Sequence, residues 1–180
     1  MPSLVQHFRA MAHNSLWSNH RLHRACAQLP THEYFRDRGA FFRSIHGTLN
    51  HILLVDRYYV GAVAGQHVES GRLDRELYSD LPSLTAAQVV ADRQLVALCE
   101  SLTPESLEVV ARWTDSDGHT CKDPIHVVLA HLFVHQIHHR GQVHNMLSGT
   151  AVKPPQLDEY LLSHDAPLRE ADLRELGIGR

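Results

Sequence analysis

Apolar residues return at three- and four-residue intervals in four long stretches, the period of an α-helix with one buried face. The first stretch runs from about Leu4 to Leu29 and stops at Pro30. The second spans roughly Ala40 to Ala64, with Gly61 and Gly65 marking its end. A third opens at Thr85, read as an N-cap ahead of AAQVVADRQLVALCESL, and Pro104 lies just beyond it. The fourth opens at Pro124, a residue suited to a first helical turn, and ends at Gly149. Between the last two, SLEVVARWTDSDGHTCKDP places β-branched residues around a D-S-D-G turn, which predicts a short hairpin or irregular crossing. Residues 66–84 read as a second irregular connection, with Pro82 inside it. Beyond Pro154 and Pro155, LREADLREL reads as a short helix. No repeat or second-domain boundary interrupts the pattern, so residues 1–180 form one all-α domain, a helix bundle with two longer connections.

Composition narrows the function classes. Hydrophobic residues make up 43% of 180, which fits a compact domain with a sizeable core. The formal net charge is -3, and no basic stripe favours nucleic acid. The N-terminus lacks an apolar signal core, and no apolar run approaches the roughly 18 residues of a membrane span, so a soluble, cytoplasmic protein is expected. Cys26, Cys99 and Cys121 are odd in number and far apart, which favours reduced thiols; without a C-x-x-C pair, a zinc ribbon or thioredoxin-type site is excluded.

Histidine is the outlier, with 16 copies against five tyrosines and five phenylalanines. Imidazole is the commonest protein ligand for mid-series metals, but surface histidines are also common, so position must decide. The fourth helix carries His126, His131, His135, His138, His139 and His144. Residues four apart lie one turn above each other and can converge on one ion. Stepping about 100° per residue, Val128, Leu132, Val143 and Met146 form one face. His139 falls within that face and His135 at its edge, whereas His131 and His138 lie toward solvent. The inward pair is therefore His135 and His139. Position 136 is Gln, so the general base of an H-E-x-x-H metalloprotease is missing. The second helix offers His46 and His51, both flanking its apolar face, and Asp56, readable as a structural anion, an acceptor for a ligand histidine or a ligand.

The stretch HLFVHQIHHRGQVHNMLSGTAVKPPQLDEYLL, from 131 to 162, resembles the DinB-like family, also described as DNA-damage-inducible or YfiT-like metalloenzymes. Val134 stands where that family usually has Asn, which leaves the ligand pattern untouched. SIHGTLNHILLVDRYYV is similar to the family's second-helix turn, and NSLWSNHRLHRACAQLP gives weaker support in the first helix. The resemblance implies an up-down-down-up four-helix bundle and a three-histidine metal site made by His51, His135 and His139. It implies one divalent ion (zinc, nickel or iron), homodimers, and for some members a low-molecular-weight thiol as cosubstrate. It implies neither DNA binding nor the polymerase that shares the name.

A three-histidine ion with an open position polarises a carbonyl, acidifies water or holds a thiolate. The expected function is a metal-dependent enzyme of hydrolase or thiol-transferase type; the alternative is a metal-binding or stress-response protein without turnover. No side chain stands out as catalytic. Tyr58 and Tyr59 are candidates to donate to a substrate oxygen, Trp17 and Asn19 to line the pocket, Arg140 to pair with Asp158, and Cys121 to approach as a fourth ligand.

Overall fold

The computed structural model describes residues 3–66, 75–115 and 117–178. The chain is mostly helical, in the order α1 (Leu4–Cys26), α2 (Thr31–Phe35), α3 (Ile45–Val63), α4 (Leu81–Glu100), α5 (Pro104–Leu107), β1 (Val110–Thr114), β2 (Thr120–Pro124), α6 (Ile125–Ser148) and α7 (Ala166–Leu176). No helix among the described residues is long and apolar enough to cross a membrane.

Local chemistry sets the ends of the long helices. Ser3 and Gln6 form a reciprocal capping box on α1. The Ser44 hydroxyl accepts the Gly47 N–H and starts α3 later than Ala40, while Gly65, at φ 68°, follows its end. The helix expected to open at Thr85 starts a turn earlier. The Asp80 carboxylate accepts the Ser83 N–H, and Pro82 sits in the first turn, where its missing N–H costs nothing. Residues 67–74 of the connection expected before this helix lie outside the described residues. The hairpin expected ahead of the last long helix is present: β1 and β2 pair antiparallel, with Trp113 opposite Cys121.

Helix α1 packs on α4 and α6, and α3 packs on the same two helices. One core cluster contains Leu22, Leu49, Leu53, Leu84, Val143 and Leu147. A second contains Phe8, Ala12, Leu95, Leu129, Leu132 and Phe133. On three of the long helices a pair of buried polar residues lies at the junction of the two clusters: Ser15 and Asn19 on α1, Gln88 and Asp92 on α4, Gln136 and Arg140 on α6. Asp56 joins them from α3. Helix α7 is fixed to α1 by the buried Trp17, whose indole N–H donates to Asp172, and by Arg21, which stacks on that indole and pairs with Asp172 and Glu159. Trp17 is thus core and lines no cleft between α3 and α6.

Candidate metal centre

Helices α3 and α6 bring His51, His135 and His139 together, with one ring nitrogen from each within 4.8 Å of the others. His51 Nε2 lies 3.0 Å from His135 Nε2. Nitrogens bound to one tetrahedral or octahedral ion at about 2.1 Å are separated by roughly 3–3.4 Å, so the spacing fits a shared ion. Helical phase explains the choice of side chains. Val128, Leu132, Val143 and Met146 are buried as expected, His139 is buried with them, His135 is half-buried at the edge, and His131 and His138 are exposed. His46 is turned the other way: its Nδ1 meets the Tyr34 hydroxyl at 3.1 Å, and its Nε2 meets Asn50.

The electrostatics favour ligand chemistry. Burial, followed by the neighbouring His139 and His51, pushes His135 down to about 3. Burial also pushes His139 down to about 4, against the hydrogen bond that its ring donates to Gln142. Both imidazoles are therefore neutral near pH 7 and have a lone pair to give. The Gln142 Oε1 lies 2.8 Å from His139 Nδ1. It can only accept, so it fixes the proton on Nδ1 and leaves Nε2 as the donor atom for an ion. The Gln142 amide nitrogen meets exposed His138 at 3.1 Å, and the His138 ring also meets His139 edge-on, which puts His138 at the border of the site. His135 Nδ1 is buried without a hydrogen-bond partner among the described residues, and Nε2 is the ring nitrogen that faces His51.

Phe42 covers this cluster. Its ring stacks on His51 at 3.9 Å between centroids and meets His139 edge-on. The loop that carries it is tight. Arg43 sits at φ 64° and is held by two contacts to Asp37, and a Cβ at position 47 would collide with the Phe42 carbonyl oxygen. Neither Phe42 nor Gln142 emerged from the sequence reading. Gln142 had a signal, because it stands one turn beyond His139; Phe42 lies in a non-periodic loop and had none.

Other expected helpers sit elsewhere. Asp56 accepts from the Gln136 and Gln88 amides at 2.8 Å each, and no imidazole N–H is bound to it among the described residues. Gln136 is fully buried in the polar layer, where it also accepts from Ser15, so it faces away from the histidines. Arg140 does not reach the tail. It is buried and donates to Ser15 and Asn19. The Tyr58 hydroxyl donates to the Thr114 carbonyl, and Tyr59 packs edge-on against Trp113 and His131. Cys121 Sγ lies against Asp115 and His119, outside the three-histidine group. All three cysteines are unbridged. Asp115, Asp117 and His119 form a second group of possible ligands, but Asp115 already accepts the backbone N–H groups of the other two, which accounts for it as turn architecture.

A family model described as DinB family matches residues 3–172. The crystal structure of a DinB-like protein from Bacillus cereus ATCC 10987 is similar, with a TM-score of 0.58 and 15% identity, covering 78% of this chain and 90% of that one. At that identity the likeness speaks for the fold. No match is found among curated proteins.

Proposed function

The chain belongs to the DinB family, and on that footing we propose that it is a metal-dependent enzyme of hydrolase or thiol-transferase type, holding one divalent ion through His51, His135 and His139. The observation that carries this reading is the convergence of three buried or half-buried ring nitrogens within 4.8 Å on two adjacent helices. Three imidazoles, with no carboxylate or thiolate in the group among the described residues, suit zinc, nickel or iron. When bound, such an ion supplies Lewis acidity toward a carbonyl and lowers the pKa of a coordinated thiol. The chain's own groups prepare the place. Gln142 sets the His139 tautomer, and Phe42 shields one face of His51 from water.

The reading extends to an up-down-down-up four-helix bundle, a cytoplasmic homodimer, and a low-molecular-weight thiol or other small molecule as substrate. Exposed apolar side chains on α6, Val127, Val134 and Ile137, support the dimer. A metal-binding or stress-response role without turnover is the second reading, favoured by the absence of a positioned general base near the histidines among the described residues: Gln136 occupies that helical position and is turned inward.

Two measurements test the proposal. Protein purified without added metal should contain one ion per chain by elemental analysis. The metal-loaded protein, screened with low-molecular-weight thiols plus electrophiles and with ester and amide substrates, should show saturable turnover. Binding without turnover selects the second reading, and no stoichiometric metal removes both.

A further inference from the structure

A cavity of about 660 Å³ is lined by α1, α2 and the start of α4, whereas the three histidines sit on α3 and α6. That volume is in the range of small-molecule sites. None of His51, His135 and His139 lines it. Leu16, Leu29, Phe35 and Val89 contribute apolar wall, while Asn19, Gln88 and Asp92, all buried, bring the polar layer to it.

The hydrogen bonding there is lopsided. Asp92 Oδ1 accepts from Asn19 Nδ2 and from Gln88 Nε2, both at 2.9 Å. The hydrogen bonds that Asp92 accepts among the described residues both go to Oδ1 and none to Oδ2, and Gln88 Oε1 is buried without a partner among them. Gln88 Oε1 therefore lacks a donor, and Asp92 Oδ2 lacks one whenever the carboxyl is ionised. A buried unsatisfied acceptor is uncommon and asks for an explanation.

The surrounding charges do not supply one. Asp56, on α3, is joined to Asp92 through the same Gln88 amide. Arg140, on α6, donates to Ser15 and Asn19 and makes no direct ion pair with either carboxylate among the described residues. On α1, His23 is held by Thr85, His20 faces Glu175, and rim residue Arg24 is paired with Glu175. Asp80, also on the lining, is engaged in capping α4. Two buried carboxyls thus share one guanidinium. Burial, then the Asp56 charge, pushes the Asp92 carboxyl up to about 8, while burial pushes His23 down to about 4.

We propose that this cavity is a binding site for an apolar small molecule bearing a protonated amine, its ammonium seated against Asp92 Oδ2 and Gln88 Oε1. The apolar wall takes the body of the ligand, and the ammonium donates to both empty acceptors and supplies the second cation. Binding ionises Asp92: the carboxyl proton goes to solvent as the ammonium replaces it, so the layer then holds two carboxylates, one guanidinium and one ammonium.

The test uses the full chain and three probes of similar shape: phenethylammonium, 3-phenylpropionate and 3-phenyl-1-propanol, titrated by calorimetry and NMR. Phenethylammonium should bind one per chain and tighten by about tenfold per pH unit between pH 6 and 8, because one proton is released. The carboxylate and the alcohol should bind at least about tenfold more weakly. Asp92→Asn should lose at least that factor and flatten the pH dependence. Ala27→Trp, at an exposed rim position, should block binding and serves if Asp92→Asn does not fold. His139→Ala should bind the amine normally, which separates this site from the metal centre. Equal affinity for all three probes, a pH-independent affinity, no binding by about 10 mM, or loss of binding in His139→Ala would each overturn the proposal.

Discussion

Gln142 Oε1 accepts from the Nδ1 of His139 at 2.8 Å, one helical turn along α6. A glutamine that orients a ligand imidazole acts on affinity without touching the ion. Gln142→Leu should therefore weaken zinc binding by roughly 10–100-fold, as losses behind a metal ligand do. Competition with a chromophoric chelator measures this. His139→Ala should lose at least as much, and His138→Ala should keep its metal stoichiometry. An unchanged affinity in His139→Ala would remove that residue from the site.

The stability of the metal-free protein should pass through opposing pH windows. The values of His23, His135 and His139 are lowered from 6.5 to about 4, 3 and 4 respectively. The unfolded chain then binds more protons than the folded one below pH 6.5, so their contribution is lost as pH falls from 6.5 toward 4. Asp92 has the opposite sign. Its value is raised from 3.8 to about 8, so its contribution is present at low pH and lost as pH rises through 8. Between pH 6.5 and 8 the histidines are flat and Asp92 dominates. Unfolding free energy should drop there by up to about 2 kcal/mol. Urea titrations of Asp92→Asn should show that slope gone.

Arg21 pairs with Asp172 and Glu159 and donates to the Gln156 and Leu168 carbonyls. Removing it strips several partners from the C-terminal segment at once. Arg21→Ala should cost about 1–3 kcal/mol and raise hydrogen exchange in residues 156–176 ahead of the rest of the chain. Uniform exchange in the variant would mean that α7 is held by its apolar contacts alone.

Val127, Val134 and Ile137 are 43%, 66% and 51% exposed on α6. If this stripe joins two copies, the double change Val134→Glu and Ile137→Glu should convert a dimer to a monomer in light scattering at micromolar concentration, with the helical signal retained. A wild-type mass equal to one chain would end the homodimer reading.

Coordination by three protein ligands leaves room for an exchangeable one. In the cobalt-substituted protein, a small thiol or azide should alter the visible spectrum, and Cys121→Ser should leave the resting spectrum unchanged, since Cys121 lies outside the histidine group. A spectrum indifferent to every added ligand would indicate a closed centre.

The sequence made α6 and its inward histidines legible because a 24-residue helix repeats its period often enough to separate faces. His46 and His51 were harder. Both are buried, and what distinguishes them is direction, toward Tyr34 in one case and toward α6 in the other. The polar layer was not legible at all. A lone Gln88 or Gln136 at a core phase of one helix looks like an interruption, and its meaning comes from partners 32 and 80 residues away on Asp56. Arg140 was misread for the same reason: counted only against His139 it points to the tail, whereas one turn after Gln136 it belongs to the layer. Thr85 was taken for a cap because Asp80 and Leu81 precede a proline that looked like a break.

The close approach of the Phe42 carbonyl to Gly47 sets what the α3 entry can carry. Even alanine at that position would drive the loop outward and lift the aromatic ring from His51. The glycine four residues ahead of the α3 histidine is thus what lets the Phe42 loop close over His51 in this chain.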